Sequence, residues 1–302
     1  MSERLAGRVV IVTGAGRGLG REHALLAARE GASVVVNDLE DGDGKGPAHD
    51  VVAEIVAFGG RAVADGHSVT GWDSAKEIIQ TALTSFGRLD GVVSNAGFLR
   101  DRMLTNMSEA EWDDVVKVHQ YGTFYILRHA AEYWRAQHKA GEHVDASVVT
   151  TTAISGLHSH IGQVNYGAAK AAIALMTLAS ARELGRYGVR VNAISPLAQT
   201  RLTMGISASG DHEASDAGPD LSPGHVSPLV VWLLGNGSTA TAQVYGVFGR
   251  EIHRYHTGWQ AAEGAHSDYD WTVESVGAAV QGWPDQFDPG RVPGLPTEVA
   301  TS

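Results

Sequence analysis

The stretch VVIVTGAGRGLG, residues 9–20, decides how the rest of the chain is read. Its first five residues are all β-branched and favour a pleated, buried strand. Glycines then break the strand, and the Ala/Leu-rich run behind them, from about 18 to 30, has helical composition. Strand, glycine turn and helix in that order make a cradle for phosphate. Gly14 permits a tight turn, Gly18 lets the backbone approach a pyrophosphate, and Gly20 allows close helix–strand packing. The first helical turn offers the anion N–H groups that have no partner inside the helix. A glycine-rich heptad alone is a weak signal; between a strand and a helix it points to a dinucleotide.

Asp38 closes the second β-branched run, ASVVVND (32–38). A carboxylate there can accept from both hydroxyls of an adenosine ribose and repels a 2′-phosphate. Arg17, inside the glycine loop, pulls the other way. The balance predicts NAD, with NADP the lesser alternative.

Further apolar runs follow at 61–66, 90–95, 146–151, 189–194 and 243–249, alternating with helical stretches at about 49–58, 73–86, 109–138, 164–186 and 227–234. Near-continuous apolar strands alternating with helices predict an α/β fold. It is a single doubly wound parallel sheet of about seven strands with helices on both faces, ligands lying along the carboxyl rim. Residues 1–250 form this dinucleotide-binding domain, catalytic site included. Residues 251–302, with Trp259, Trp271 and Trp283, form a C-terminal extension that packs on the body or on a neighbouring subunit. The polar segment 205–224 is long enough to act as a lid.

At 302 residues the chain can bury one large core, and 43% hydrophobic residues excludes a disordered chain. A net charge of −11 argues against a nucleic-acid partner. The absence of cysteine removes disulfides, thiolate metal sites and Cys nucleophiles. The opening residues lack the apolar core of a signal peptide, and no run reaches the ~18 apolar residues of a membrane span. The expectation is a cytoplasmic protein with no membrane partner.

The segment TTTAISGLHSHIGQVNYGAAK (150–170) carries the chemistry. Tyr166 and Lys170, four apart, share one face of a helix. A phenol of pKa about 10 is a poor base near neutrality, and a neighbouring ammonium lowers that value. His158 and His160 make no metal site, since no carboxylate or third His stands at ligand spacing.

TGAGRGLG (13–20), SNAG (94–97), Tyr166-Gly-Ala-Ala-Lys170 and VNAISP (191–196) together resemble the classical short-chain dehydrogenase/reductase family over about 250 residues. NDLEDGDGKG, RDRMLTNMSEAEWDDVVKVH and GQVNYGAAK resemble the branch of (R)-3-hydroxyacyl-CoA dehydrogenase domains in multifunctional β-oxidation enzymes. The resemblance implies a Rossmann-type sheet, a nicotinamide cofactor, and a homodimer or homotetramer built on the helices 109–138 and 164–186. It implies that Tyr166 exchanges a proton with the substrate oxygen, and that Lys170 tunes Tyr166 and holds the nicotinamide ribose. His119 stands where many relatives carry Asn, whose main-chain carbonyl holds a relay water. Leu19, Ser68, Asn95, Ala96 and Gly97 fall at cofactor positions, with Asn95 and Gly97 on the adenosine-ribose side. His67 replaces an Asp that contacts adenine, Leu197 replaces a Gly, and Thr200 or Thr203 can reach the cofactor.

One position departs from the pattern. Thirteen residues before Tyr166 the family carries a Ser that holds the reacting oxygen; here it is Ala153. Ser155 is the first candidate to stand in, provided the chain bends, with Thr152, His158 or His160 behind it. The resulting expectation is an NAD-dependent oxidoreductase that interconverts a secondary alcohol and a ketone. The small-molecule substrate is apolar and medium-sized: a 3-hydroxyacyl thioester, a terpenoid or a steroid-like alcohol. The alternatives are an impaired nucleotide-binding scaffold, or a dehydratase or isomerase that uses Tyr166 without net redox.

Overall fold

The computed structural model describes residues 3–40, 46–198, 221–256 and 273–280. One sheet contains β1 (Val9–Thr13), β2 (Ser33–Asn37), β3 (Arg61–Asp65), β4 (Gly91–Ser94), β5 (Ala146–Thr151), β6 (Val189–Leu197), β7 (Val244–Phe248) and β8 (Glu251–Tyr255). Their order is β3-β2-β1-β4-β5-β6-β7-β8. The first seven strands are parallel, and β8 turns back antiparallel on β7. The sheet therefore has eight strands where the sequence predicts seven. The eighth lies within the stretch assigned from sequence to the C-terminal extension. EIHRY carries four charged or titratable side chains in five residues, so no apolar run announces it; pairing with β7 creates it.

Alternation along each strand explains why both faces are covered. Val10 and Val12 of β1 belong to one core cluster with Val34, Val36, Val149 and Ile194. Their neighbours Val9 and Ile11 belong to a second cluster with Val35, Val92, Val148 and Val191. The first cluster is closed by α1 (Gly18–Arg29), α2 (Pro47–Ala57) and α8 (Ser227–Leu234). The second is closed by α3 (Trp72–Phe86), α5 (Gly122–Lys139) and α7 (Val164–Leu184). Strands buried on both sides need near-continuous apolar residues, and Val9–Val12 of β1 and Val34–Val36 of β2 provide them.

The run 109–138 is not one regular helix. It divides into α4 (Glu109–Val116), a π-helical turn (Lys117–Tyr121) and α5. Ser108 caps α4: its hydroxyl accepts from Glu111 N–H at 3.2 Å, while the Glu111 carboxylate accepts from Ser108 N–H at 2.9 Å. A short helix, α6 (Ile154–His158), follows β5. β6 continues to Leu197, which pairs with Phe248, past the point where the sequence ends that strand.

Contacts divide the chain into Met1–His256 and Thr257–Ser302. The described part of the second unit is α9 (Val273–Val280). Trp259, Trp271 and Trp283 lie outside the described residues, as does 205–224 except for 221–224.

Candidate active site

Strand order reverses between β1 and β4, because β1 pairs with β2 on one side and β4 on the other. Connections leave the carboxyl ends in opposite directions there and open a crevice. The crevice is a cleft of about 670 Å³. Gly14, Arg17, Gly18 and Leu19 line it from the loop between β1 and α1. Asp38 lines it after β2, His67 and Ser68 after β3, and Asn95, Ala96 and Gly97 after β4.

The glycine loop fits a pyrophosphate. Gly14 has φ +62°, and a Cβ there would stand 2.7 Å from the Ala96 Cα. Gly20 packs against the Gly14 carbonyl and so lies behind the loop rather than in the cleft. No side chain caps the first turn of α1, which leaves its N–H groups to an anion. Asn95 braces the loop: its Nδ2 donates to the Thr13 carbonyl at 3.2 Å and the Gly14 carbonyl at 3.3 Å. Asn95 thus has a structural duty that the sequence does not show. Asp38 accepts from Gly16 N–H at 2.8 Å and from Leu39 N–H at 2.9 Å, which aims its carboxylate along the cleft wall.

Tyr166 and Lys170 come together on one face of α7, with Nζ 5.5 Å from the centre of the phenol ring. Lys170 is buried, and its Nζ donates to the Thr151 carbonyl at 2.6 Å. Burial lowers its pKa to about 7. The phenol of Tyr166 is pushed up, by burial first and by Asp101 second. This reverses the expectation that the ammonium lowers it. The ammonium lies toward the ring and directs a proton at Thr151, and partial desolvation disfavours the phenolate.

His119 stands edge-on to Tyr166, ring centres 5.1 Å apart at 84°. It sits in the π-helical turn, where one extra residue widens the helix. Its Nε2 lies 2.8 Å from the Phe98 carbonyl oxygen and 3.1 Å from Phe98 N–H. Its ring fills the space that a side chain on Gly97 would take. Burial, with Lys170 nearby, lowers its pKa to about 3, so the imidazole is neutral. Its Nδ1 is buried without a partner.

Ala153 ends the extended chain and α6 begins at the next residue. The chain therefore bends, as a replacement by Ser155 requires. Ser155 is buried, and its backbone carbonyl lies 2.9 Å from where a Cβ on Gly167 would be, one residue beyond Tyr166. Thr152 is committed elsewhere: its hydroxyl donates to the Lys170 carbonyl at 2.7 Å, tying β5 to α7. His158 stacks near Tyr255 of β8, ring centres 5.9 Å apart, and His160 is exposed. Tyr255 is the site-proximal residue that sequence reasoning missed; its strand has no apolar signature. Thr200 and Thr203 lie outside the described residues.

The short chain dehydrogenase family model matches residues 8–209. The chain is 45% identical over 256 residues to the hydroxyacyl-CoA dehydrogenase ChsB1 of Mycobacterium tuberculosis, covering 82% of this chain and 79% of that protein. It is 40% identical over 235 residues to peroxisomal multifunctional enzyme type 2 of Mus musculus, covering 76% of this chain and 30% of the mouse protein. The crystal structure of a short chain dehydrogenase from Mycobacterium avium superposes with a TM-score of 0.82 at 46% identity, covering 92% of this chain and 94% of that one. The protein belongs to the short-chain dehydrogenase family, whose members are oxidoreductases that use a nicotinamide cofactor. Within that family it is similar to the hydroxyacyl-CoA dehydrogenase and multifunctional-enzyme branch.

Proposed function

We propose that the protein is an NAD-dependent oxidoreductase that interconverts a secondary alcohol and a ketone on an apolar, medium-sized substrate of the 3-hydroxyacyl thioester class. One observation carries the reading: the pair of half-buried Tyr166 and buried Lys170, with Nζ 5.5 Å from the phenol ring, joined through His119 to the Gly97 wall of the cleft. A nicotinamide held by the glycine loop and Lys170 would supply the hydride acceptor or donor. Tyr166 gives its phenolic proton to the carbonyl oxygen, or takes one from the alcohol. In the alcohol-to-ketone direction the positive ring of an oxidised nicotinamide would favour the phenolate, while Lys170 would hold the nicotinamide ribose. Ser155 holds the substrate oxygen in place of the missing Ser at 153. The carboxylate of Asp38 accepts from the adenosine ribose and opposes a 2′-phosphate, which supports NAD over NADP. The thioester class is supported by the similarity to the hydroxyacyl-CoA dehydrogenase ChsB1.

The same reading makes the enzyme a cytoplasmic homodimer or homotetramer. No helix among the described residues is long and apolar enough to cross a membrane. Tyr121, Phe124 and Leu175 expose apolar surface around α5 and α7.

A second reading, a nucleotide-binding scaffold, draws on Ala153 and on the commitment of Thr152 to Lys170. Turnover of NAD with a panel of 3-hydroxyacyl thioesters, terpenoid alcohols and hydroxysteroids separates the two. Activity in the wild type that is lost in Tyr166→Phe supports the enzyme. Silence in the wild type with activity in Ala153→Ser supports the scaffold.

A further inference from the structure

Toward the β8 edge of the sheet, three elements direct polar tips at one another without closing a bond. Ser195 Oγ on β6, Tyr255 Oη on β8 and His158 Nε2 on α6 are buried and have no partner. Register brings them together. Ser195 stands opposite Gly246 of β7, so both face the same side of the sheet. That side carries α7, because Ile194, next to Ser195, packs in the opposite cluster. The Tyr255 ring lies across Gly246: a Cβ there would stand 2.9 Å from Cε2 and 3.1 Å from Oη. His158 covers the same ring, centres 5.9 Å apart. It follows Ser155 by three residues on α6, about one turn, and so shares its face of that helix.

The three groups are uncharged near pH 7, since burial lowers the pKa of His158 and raises that of Tyr255. Two hydroxyls and a neutral imidazole offer both donors and acceptors. That set suits a neutral group with one N–H and one C=O, an amide, and gives no counter-charge to a phosphate or carboxylate. Distance selects the amide. Gly246 lies two strands from β5, whose end leads into Ala153, about 10 Å across the sheet. In a 3-hydroxyacyl thioester on a pantetheine-type arm, the first amide nitrogen is six bonds from the carbinol carbon. That is about 8 Å when extended. The His158 and Tyr255 rings are half-buried, so a turn of either ring carries its tip to such an arm.

We infer that Ser195, Tyr255 and His158 form a subsite for the first amide of a thioester's carrier arm, and that they determine specificity for such thioesters over simple secondary alcohols. This rests on the proposed thioester reading. With the reacting oxygen on Ser155, the acyl carbon chain and sulfur span the gap to β8, and the amide completes the unpaired tips.

Two 3-hydroxybutyryl thioesters of equal chain length test the inference. The N-acetylcysteamine thioester carries the amide, and the S-pentyl thioester replaces it with methylenes. Oxidation with NAD by the full chain is expected to give the amide-bearing thioester a kcat/KM about tenfold higher, the worth of one good hydrogen bond. In Tyr255→Phe, which keeps the ring against His158, that advantage should shrink to about threefold. With Ser195→Ala added, the two thioesters should fall within about twofold of each other. Comparing the coenzyme A thioester with the same acyl group on an acyl carrier protein then shows which carrier brings the arm. A structural role for Tyr255 alone would lower both thioesters alike and keep their ratio, which overturns the inference. Equal kcat/KM for the two in the wild type also overturns it, since the three tips then hold only water, and leaves the proposed function standing. Failure to turn over either thioester removes that function and the subsite with it.

Discussion

The two halves of the carboxyl rim treat their polar groups in opposite ways. Around β1, β2 and β3 the chain satisfies itself: Asn37, Asp65, His67 and Asn95 are bonded to one another or to the backbone. Around β5 to β8 and the π-helical turn, buried polar atoms stand without partners: His119 Nδ1, Thr151 Oγ1, His158 Nε2, Ser195 Oγ and Tyr255 Oη. Among the described residues, the other buried polar side-chain atoms without partners are His23 Nε2 and the Nε atoms of Arg8 and Arg190, whose other nitrogens hold Asp145. Ser159, a non-glycine residue at positive φ, also falls in the second half. Buried polar groups are normally paired, so a cluster of unpaired ones marks where a ligand or water completes the structure. The glycine-loop half is finished before any ligand arrives. The half around Tyr166 is not.

The contrast can be broken first at the reacting oxygen. Tyr166→Phe removes the proton donor and is expected to lower kcat/KM by about 10²–10⁴. NAD affinity, measured by titration, should stay within about twofold, because the glycine-loop half is untouched. Equal losses in affinity and turnover would mean that the two halves are not separate.

Buried charge gives the next effect. The folded pKa of Lys170, about 7, lies below its ordinary value of 10.5. Between those values the unfolded chain binds the proton and the folded chain does not, so stability rises with pH, by at most about 1.4 kcal/mol per unit. Above about pH 10 the gain reverses: Tyr166, whose pKa is raised in the folded chain, then ionises first in the unfolded one. Urea unfolding of the ligand-free protein should therefore show stability climbing from pH 7 toward 10. Lys170→Met should flatten the climb, and an unchanged slope in that variant would place the titration elsewhere.

Two smaller changes compare the halves directly. Asn95→Ala cuts the brace of the glycine loop and should destabilise the fold by about 2 kcal/mol. Ser195→Ala removes a hydroxyl that bonds to nothing and should stay within about 0.5 kcal/mol of wild type. Similar losses in both would erase the distinction. Ser159 has φ +74° and ψ 159°, a region kept almost wholly to glycine. Ser159→Gly should raise stability by about 1 kcal/mol, net of the extra freedom of glycine in the unfolded chain. A fall in thermal midpoint would show that the rim is not strained there.

Local pattern made the first half readable. Gly14, Gly18 and Gly20 between a β-branched run and a helix, with Asp38 after the next strand, are contiguous signals, and in the fold the loop residues line one cleft. Tyr166 and Lys170 were readable for the same reason, since helical spacing alone puts them on one face. β8, the π-helical turn at His119 and the bend after Ala153 were not. Each depends on what packs against it: β7 beside EIHRY, Gly97 under the His119 ring, and α7 against Ser155.

The direction of the Tyr166 shift shows where the division falls. Sequence alone determined the kinds of groups present and their spacing within one element: a glycine turn, an acidic strand end, a phenol one helical turn from an ammonium. Tertiary structure decided how much water reaches them and which partners use their protons. Lys170 is turned toward Thr151, Nδ1 of His67 faces Asp65, and the half-buried phenol is raised in pKa by desolvation. Covalent spacing is local, but desolvation and hydrogen-bond competition are set by atoms far away in the chain.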